Sequence, residues 1–203
     1  MNLHLFQGDS ITDTGRGRAN DASLGNGYAF ITAARYGLKH PRTKLRFINR
    51  GISGNRSRDL EARWTNDCVA LQPTTLSILI GVNDTWRRYD SNDPTPADRY
   101  EEAYRRLLKR VRDETRARVI LLEPFLLDVP KVAGWREDLD PKRAIVRALA
   151  SEFGATFIPL DTHFANAARE TDPAFWAEDG VHPTPAGHAL IADHLLAAVE
   201  GMY

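Results

Sequence analysis

The chain has 203 residues, which at about 150 residues per domain points to a single domain, residues 1–203, with room for long loops. An apolar content of 42% with 27% charged residues excludes a disordered chain, because enough apolar surface is available to offset conformational entropy. Basic and acidic residues number 27 each, so the zero net charge indicates neither nucleic acid nor an anionic membrane as the main partner.

Leu3–Phe6 is a short apolar run that ends in Gly8-Asp9-Ser10 and Ile11-Thr12-Asp13. It is too short for a helix and reads as a parallel strand covered on both faces. A hydroxyl at Ser10 either sits exposed on a tight strand-to-loop turn or caps a helix. As a nucleophile it needs a base to take its proton. Thr12–Gly27 reads as irregular, and Tyr28–Leu38 as a helix.

The second strand, Leu45–Ile48, runs into Asn49-Arg50-Gly51-Ile52-Ser53-Gly54-Asn55, where two glycines three apart allow a tight turn with a free backbone N–H. A helix over Ser57–Leu71 contains the single cysteine, Cys68, which can form no intrachain disulfide and reads as a buried, inert thiol. The third strand, Leu76–Ile80, leads into Gly81-Val82-Asn83-Asp84, whose amide side chain is a hydrogen-bond donor at the same end of the sheet. Trp86–Pro96 reads as irregular and Ala97–Thr115 as a helix.

Val119–Leu122 is the fourth strand, followed by an irregular stretch over Leu127–Leu139 and a helix over Pro141–Phe153. The fifth strand, Thr156–Ile158, precedes Asp161-Thr162-His163, and Thr171–Pro183 is again irregular. Within it, Asp179 and His182 stand three apart, close enough for one turn of chain to aim both at one place. Spacing alone leaves His182 and His163 both open as the base for Ser10. The last helix spans Thr184–Val199, with Pro183 and Pro185 where proline is tolerated.

Strands alternating with helices predict a three-layer α/β/α fold, with a flavodoxin-like five-stranded parallel sheet in the order 2-1-3-4-5. Ligands in such sheets bind beyond the carboxyl ends of the strands, where the polar turns lie. No metal site is expected: His182 and His188 are six apart, and there is neither a His-Glu-x-x-His motif nor a cysteine pair. No phosphate-binding loop follows a strand. No apolar run approaches the roughly 18 residues needed to span a bilayer, and no leader is evident, so the expectation is a cytoplasmic protein.

Gly8-Asp9-Ser10, Gly51 to Gly54, Gly81-Val82-Asn83-Asp84 and Asp179-Gly180-Val181-His182-Pro183 resemble, in order and spacing, the four blocks of the SGNH (GDSL-like) hydrolases. The resemblance implies Ser10 as nucleophile, His182 as general base and Asp179 as its orienting partner. It also implies an oxyanion hole of the Ser10 and Gly54 N–H groups with the Asn83 side chain, and no cofactor. The position after Ile11 is threonine rather than the leucine of the family's nickname. A narrower pattern is similar to the intracellular acetylxylan esterase branch: Ile11-Thr12-Asp13, Gly15-Arg16, Gly25-x-Gly27-Tyr28, Gly51-Ile52-Ser53-Gly54-Asn55, Arg58-Asp59-Leu60, Ala62-Arg63-Trp64 and Trp86-Arg87.

That branch implies deacetylation of xylan-derived sugars, a small-molecule or oligosaccharide ester as partner, and compatibility with a homo-oligomer. Trp86, Arg87 and Asp9 are the expected substrate contacts. The alternatives are a lysophospholipase or thioesterase, with Phe125, Leu126, Leu127 and Trp135 forming an apolar slot, and a non-catalytic carbohydrate-binding protein.

Overall fold

The structure, a computed structural model, describes residues 2–203. Five strands, β1 (Asn2–Gly8), β2 (Leu45–Asn49), β3 (Thr75–Leu79), β4 (Arg118–Leu122) and β5 (Thr156–Ile158), pair in parallel in the order β2-β1-β3-β4-β5. The expected topology is therefore the observed one. Each strand is buried at its carboxyl end, as strands covered by helices on both faces require.

Alternation along the strands divides the core in two. Phe6, Leu79, Ile120 and Leu122 face a cluster completed by helices α2 (Tyr28–Lys39), α7 (Leu160–Ala167) and α9 (Pro185–Glu200). Leu5, Leu76, Ile78 and Leu121 face the opposite cluster with α3 (Ser57–Asp67), α5 (Ala97–Glu114) and α6 (Arg136–Phe153). Three more helices lie beyond the strand ends or near them: α1 (Ser10–Asp13), α4 (Val82–Asp90) and α8 (Pro173–Trp176). Cys68 closes α3 and is fully buried, and burial pushes its thiol up to about 12, far from a reactive thiolate.

All four stretches read as irregular are partly helical: α1 takes in the start of Thr12–Gly27 and α8 lies within Thr171–Pro183. α4 takes up the start of Trp86–Pro96; Val82, Trp86 and Tyr89 stand at i, i+4 and i+7, a signal overlooked beside the buried polar Asn83 and Asp84. α6 begins at Arg136 rather than at Pro141, which lies inside it. Burial of Trp135 and Leu139 and the hydrogen bond from Arg136 Nη2 to Leu126 O hold the preceding turn despite the missing proline N–H. The Asp161-Thr162-His163 segment is itself the first turn of α7. Among the described residues, no helix is long and apolar enough to cross a membrane.

The core assignment has a direct test. Leu76→Ala, in a fully buried position of the central strand β3, should cost about 2–5 kcal/mol in urea unfolding. Leu38→Ala, at a site 83% exposed, should change stability by no more than about 0.5 kcal/mol.

Candidate active site

Four chain segments meet beyond the carboxyl ends of β1, β2 and β3. The register that sets Phe6 opposite Asn49 and Gly8 opposite Leu79 brings the three following turns side by side. Asp9 caps α1, accepting the Ile11 N–H at 3.0 Å, so Ser10 is the first helical residue and its hydroxyl is free of capping. That Oγ lies 3.0 Å from His182 Nε2, across 172 residues of chain. The other ring nitrogen of His182, Nδ1, is 2.8 Å from Asp179 Oδ2.

Asp179 is the fixed point of the histidine turn. Its Oδ1 accepts the N–H groups of Val181 at 3.0 Å and His182 at 2.7 Å. Burial pushes the Asp179 carboxyl up, but the His182 ring and these two backbone donors outweigh it and hold the group well below the usual carboxylate range. The hydrogen bond to Asp179 raises His182 above its ordinary value, against burial and against the nearby Lys131 ammonium. A proton on Nδ1 directed at Asp179 leaves Nε2 bare toward Ser10, the tautomer that can accept a hydroxyl proton.

His163 does not reach this place. Its ring stacks on His194, with centroids 3.5 Å apart, and Asp161 is engaged by Leu126 N and by Arg136 and Arg143. Of the two Asp/His pairs left open by spacing, the tertiary structure joins only Asp179 and His182 to Ser10. His188 is a buried structural residue whose Nδ1 accepts the first N–H of α2, from Tyr28, at 3.2 Å.

The backbone N–H groups of Ser10 and Gly54 have no hydrogen-bond acceptor among the described residues. Gly54 has φ +83°, a backbone conformation that favours glycine. Asn83, in the first turn of α4, donates from Nδ2 to Asn55 O at 3.2 Å, which ties its amide to the Gly54 turn. Arg87 Nη2 donates to Asn83 Oδ1 at 3.4 Å, and Arg87 also pairs with Asp90. Trp86 packs beside His182, ring centroids 5.5 Å apart, and against Trp135 at 5.2 Å. Beside His182 opens a cavity of about 630 Å³ lined by Lys131, Glu178, Asp179, Pro183 and Thr184.

Asp9 is a correction to the sequence-based expectation. Its side chain turns inward as the cap of α1 and is only 1% exposed, so it offers no surface to a substrate. Oδ2 has no hydrogen-bond partner, and burial pushes the carboxyl up to about 7. Asp84, also buried, is pushed by burial to about 6 although Ser57 donates to it from both N and Oγ. Sequence reasoning missed Asp13, Arg16 and Arg63, which lie around the Gly51–Asn55 turn; the branch pattern contained all three without assigning them a task.

Burial of Asp9 has a pH signature. Its native value lies above that of an unfolded carboxyl, so the stability it contributes is complete below about pH 4 and is lost as pH rises through about 7. Asp9→Asn, which keeps the cap, should therefore gain on the parent protein between about pH 4 and pH 8, by at least about 1 kcal/mol. Urea unfolding of both proteins across that range measures the difference; a constant offset would mean that Asp9 does not titrate in the native state.

Residues 6–190 match the GDSL-like lipase/acylhydrolase family. An acetylxylan esterase from Geobacillus stearothermophilus is 35% identical over 203 residues, covering 96% of this chain and 92% of that protein. The crystal structure of an acetylxylan esterase from that organism superposes with a TM-score of 0.91 at 34% identity, covering 98% of this chain and 94% of that one. A protein from Parabacteroides merdae assigned as a GDSL-like lipase gives a TM-score of 0.94 at 36% identity, over 100% and 96% of the two chains. With the four sequence blocks gathered at one end of the sheet and the match running through nearly the whole length, the chain belongs to the GDSL-like lipase/acylhydrolase family.

Proposed function

We propose that the protein is a serine esterase that removes acetyl groups from sugar esters of the xylo-oligosaccharide class, with Ser10 as nucleophile, His182 as general base and Asp179 as its orienting partner. The observation that carries this reading is the unbroken hydrogen-bonded line from Ser10 Oγ through His182 to Asp179, at 3.0 and 2.8 Å. A serine hydroxyl becomes an effective nucleophile only with such a base, and the base only with a group that holds its tautomer.

In the first step, Ser10 Oγ attacks the acetyl carbonyl as its proton passes to His182 Nε2. Charge builds on the carbonyl oxygen, and the unpaired Ser10 and Gly54 N–H groups with the Asn83 amide are the donors to receive it. The tetrahedral intermediate collapses as the sugar oxygen takes the proton from Nε2 and leaves. Water then gives a proton to Nε2 and adds to the acetyl-Ser10 carbonyl; collapse returns that proton to Ser10 Oγ and frees acetate. Asp179 stays ionised throughout and stabilises the imidazolium formed twice in the cycle.

The substrate half of the reading rests on the similarity to the acetylxylan esterase and on the chemistry around the serine. Phe125, Leu126, Leu127 and Trp135 are buried in the core; Leu126 and Leu127 border only a cavity of about 200 Å³ shared with Asp128 and Arg136 and lined by none of Ser10, Asp179 and His182, so they form no apolar trench for a long acyl chain at the serine. Trp86 supplies an aromatic face next to His182, while Arg87 and the polar cavity wall supply hydrogen-bonding groups suited to a sugar.

Two experiments test these halves separately. Ser10→Ala should fold normally and lose about 10⁴- to 10⁶-fold in kcat, and a serine-directed phosphonate should add its mass to Ser10 alone. Labelling at another serine, or ordinary turnover by Ser10→Ala, would sink the assignment. On p-nitrophenyl esters, kcat/KM should be highest for acetate and fall steeply by butyrate and octanoate. An apolar trench would instead raise it with length, by up to about 4-fold per CH₂, since each contributes about 0.8 kcal/mol. An optimum at octanoate would move the protein to the lysophospholipase or thioesterase reading with the same three residues.

A further inference from the structure

The turn that carries Gly54 is closed by one backbone hydrogen bond, from Asn55 N to Ile52 O at 3.1 Å. A side chain added at Gly54 would meet nothing within 4 Å, so no neighbour packs against the residue from that side. An oxyanion donor has to be in place before charge develops, so the Ser53–Gly54 peptide plane needs further anchoring. The contacts of Ser53 show what does so.

Asp13 is the last residue of α1, one turn beyond Ser10, and its side chain is 5% exposed. Its Oδ2 accepts the Ser53 N–H at 3.0 Å and the Ser53 hydroxyl at 3.0 Å. Anchoring both groups fixes the backbone of Ser53 and its χ1, and with them the orientation of the peptide that bears the Gly54 N–H. Arg18 donates to the same Oδ2 at 2.6 Å. Arg16, 3.9 Å from Asp13 Oδ1, donates through Nε to Gly51 O at 2.8 Å. Burial pushes the Asp13 carboxyl up, but Arg18 and Ser53 outweigh it and hold it below the usual carboxylate range, an ionised acceptor of three hydrogen bonds.

Gly51 permits this docking: a Cβ there would lie 2.4 Å from the backbone nitrogen of Asp13. On the far side of the turn, Arg63 Nε donates to Asn55 Oδ1 at 2.8 Å. The turn is thus held at both ends, and only the Asp13 end is continuous with the helix that begins at Ser10.

We propose that Asp13 is the positioning residue of the oxyanion hole: through Ser53 it locks the Gly54 N–H in place relative to the Ser10 N–H, three residues before Asp13 on the same helix. The proposal rests on the assignment of those two N–H groups as oxyanion donors. It gives a task to Asp13 and Ser53 of the branch pattern, which touch neither Ser10 Oγ nor His182. Asp13 acts at one remove, so its loss should weaken stabilisation of the transition state and leave ground-state binding alone.

The test uses Asp13→Asn, Asp13→Ala and Ser53→Ala, with active sites counted by phosphonate titration so that misfolded protein does not enter kcat. Asp13→Asn should lower kcat about 10-fold and Asp13→Ala about 10²-fold, the penalty of a catalytic donor displaced by roughly 1 Å. Ser53→Ala, losing one of two bonds, should cost about 3-fold, and KM should stay within about 2-fold in all three. Benzeneboronic acid, whose tetrahedral serine adduct carries an oxygen at the oxyanion position, should weaken in parallel with kcat. A purely structural role would lower the count of active sites without moving either quantity. Folded Asp13→Asn and Ser53→Ala proteins with unchanged kcat per site, or with a raised KM at constant kcat, would overturn the proposal; if Asp13→Ala fails to fold, these two decide. Asn83→Ala separates the two levels, because an oxyanion hole predicts a loss of about 10² to 10³ in kcat there. If Asn83→Ala turns over normally, the donor assignment itself fails; if it loses activity while the Asp13 variants do not, only the positioning role falls.

Discussion

Parallel pairing of β1 with β2 on one side and β3 on the other is the constraint from which the site follows. Parallel neighbours end together at their carboxyl termini, so the residues leaving them share one edge of the sheet. Ser10, Gly54 and Asn83 are distant in sequence and adjacent in space for that reason alone. The hydrogen bond from Ile52 N to Gly8 O at 3.1 Å extends the pairing past the strand ends and carries the second turn over the first. The fourth segment, with Asp179 and His182, reaches the same edge because α9 packs across the sheet face against α2, and the histidine turn precedes α9 directly.

Burying carboxylates around a reacting serine costs solvation energy, and the protein meets that cost in different ways at neighbouring positions. Asp13 and Asp179 are surrounded by donors, remain ionised, and act as rigid acceptors that orient other groups. Asp9 has a single backbone donor and an unpartnered oxygen, so burial wins and the proton is retained to about pH 7. Asp84 lies between, with two hydrogen bonds from Ser57 joining the start of α3 to the first turn of α4. Depth and the number of donors act together: Asp9 and Asp84 are the more deeply buried and have the fewer donors, and theirs are the carboxyls pushed up. Hydrogen-bonded charge near the reacting atoms is preorganised, and it need not be rearranged when the transition state forms.

The surface ion pairs belong to another category. Arg106 with Glu61 and Arg105 with Glu152 tie α5 to its two neighbouring helices, but exposed pairs of this kind contribute at most about 1 kcal/mol each. The abundance of arginine, 22 against five lysines, is largely spent on such bridges. Arg16 and Arg56, buried, and the half-buried Arg63 differ in donating to backbone carbonyls: those of Gly51, Asp93 and Gly8.

The sequence by itself determined the layered architecture, the strand order and the four blocks at the strand ends. Strand pattern and block order are local properties: short apolar runs alternating with helical patterns read as strands of a covered parallel sheet, and each polar turn follows its own strand. Spacing could not choose between His182 and His163, since both stand close to an aspartate, and only the resemblance of the four blocks pointed to His182. Packing supplies the physical reason, because it delivers Asp179 and His182 to Ser10 and stacks His163 on His194. The same limit misdirected Asp9 outward, because nothing in Gly8-Asp9-Ser10 says which neighbour of the serine turns into the core. The link between Asp13 and Ser53, 40 residues apart, was invisible for the same physical reason: a hydrogen bond between side chain and distant backbone leaves no period in the sequence, and only the folded chain brings donor and acceptor together.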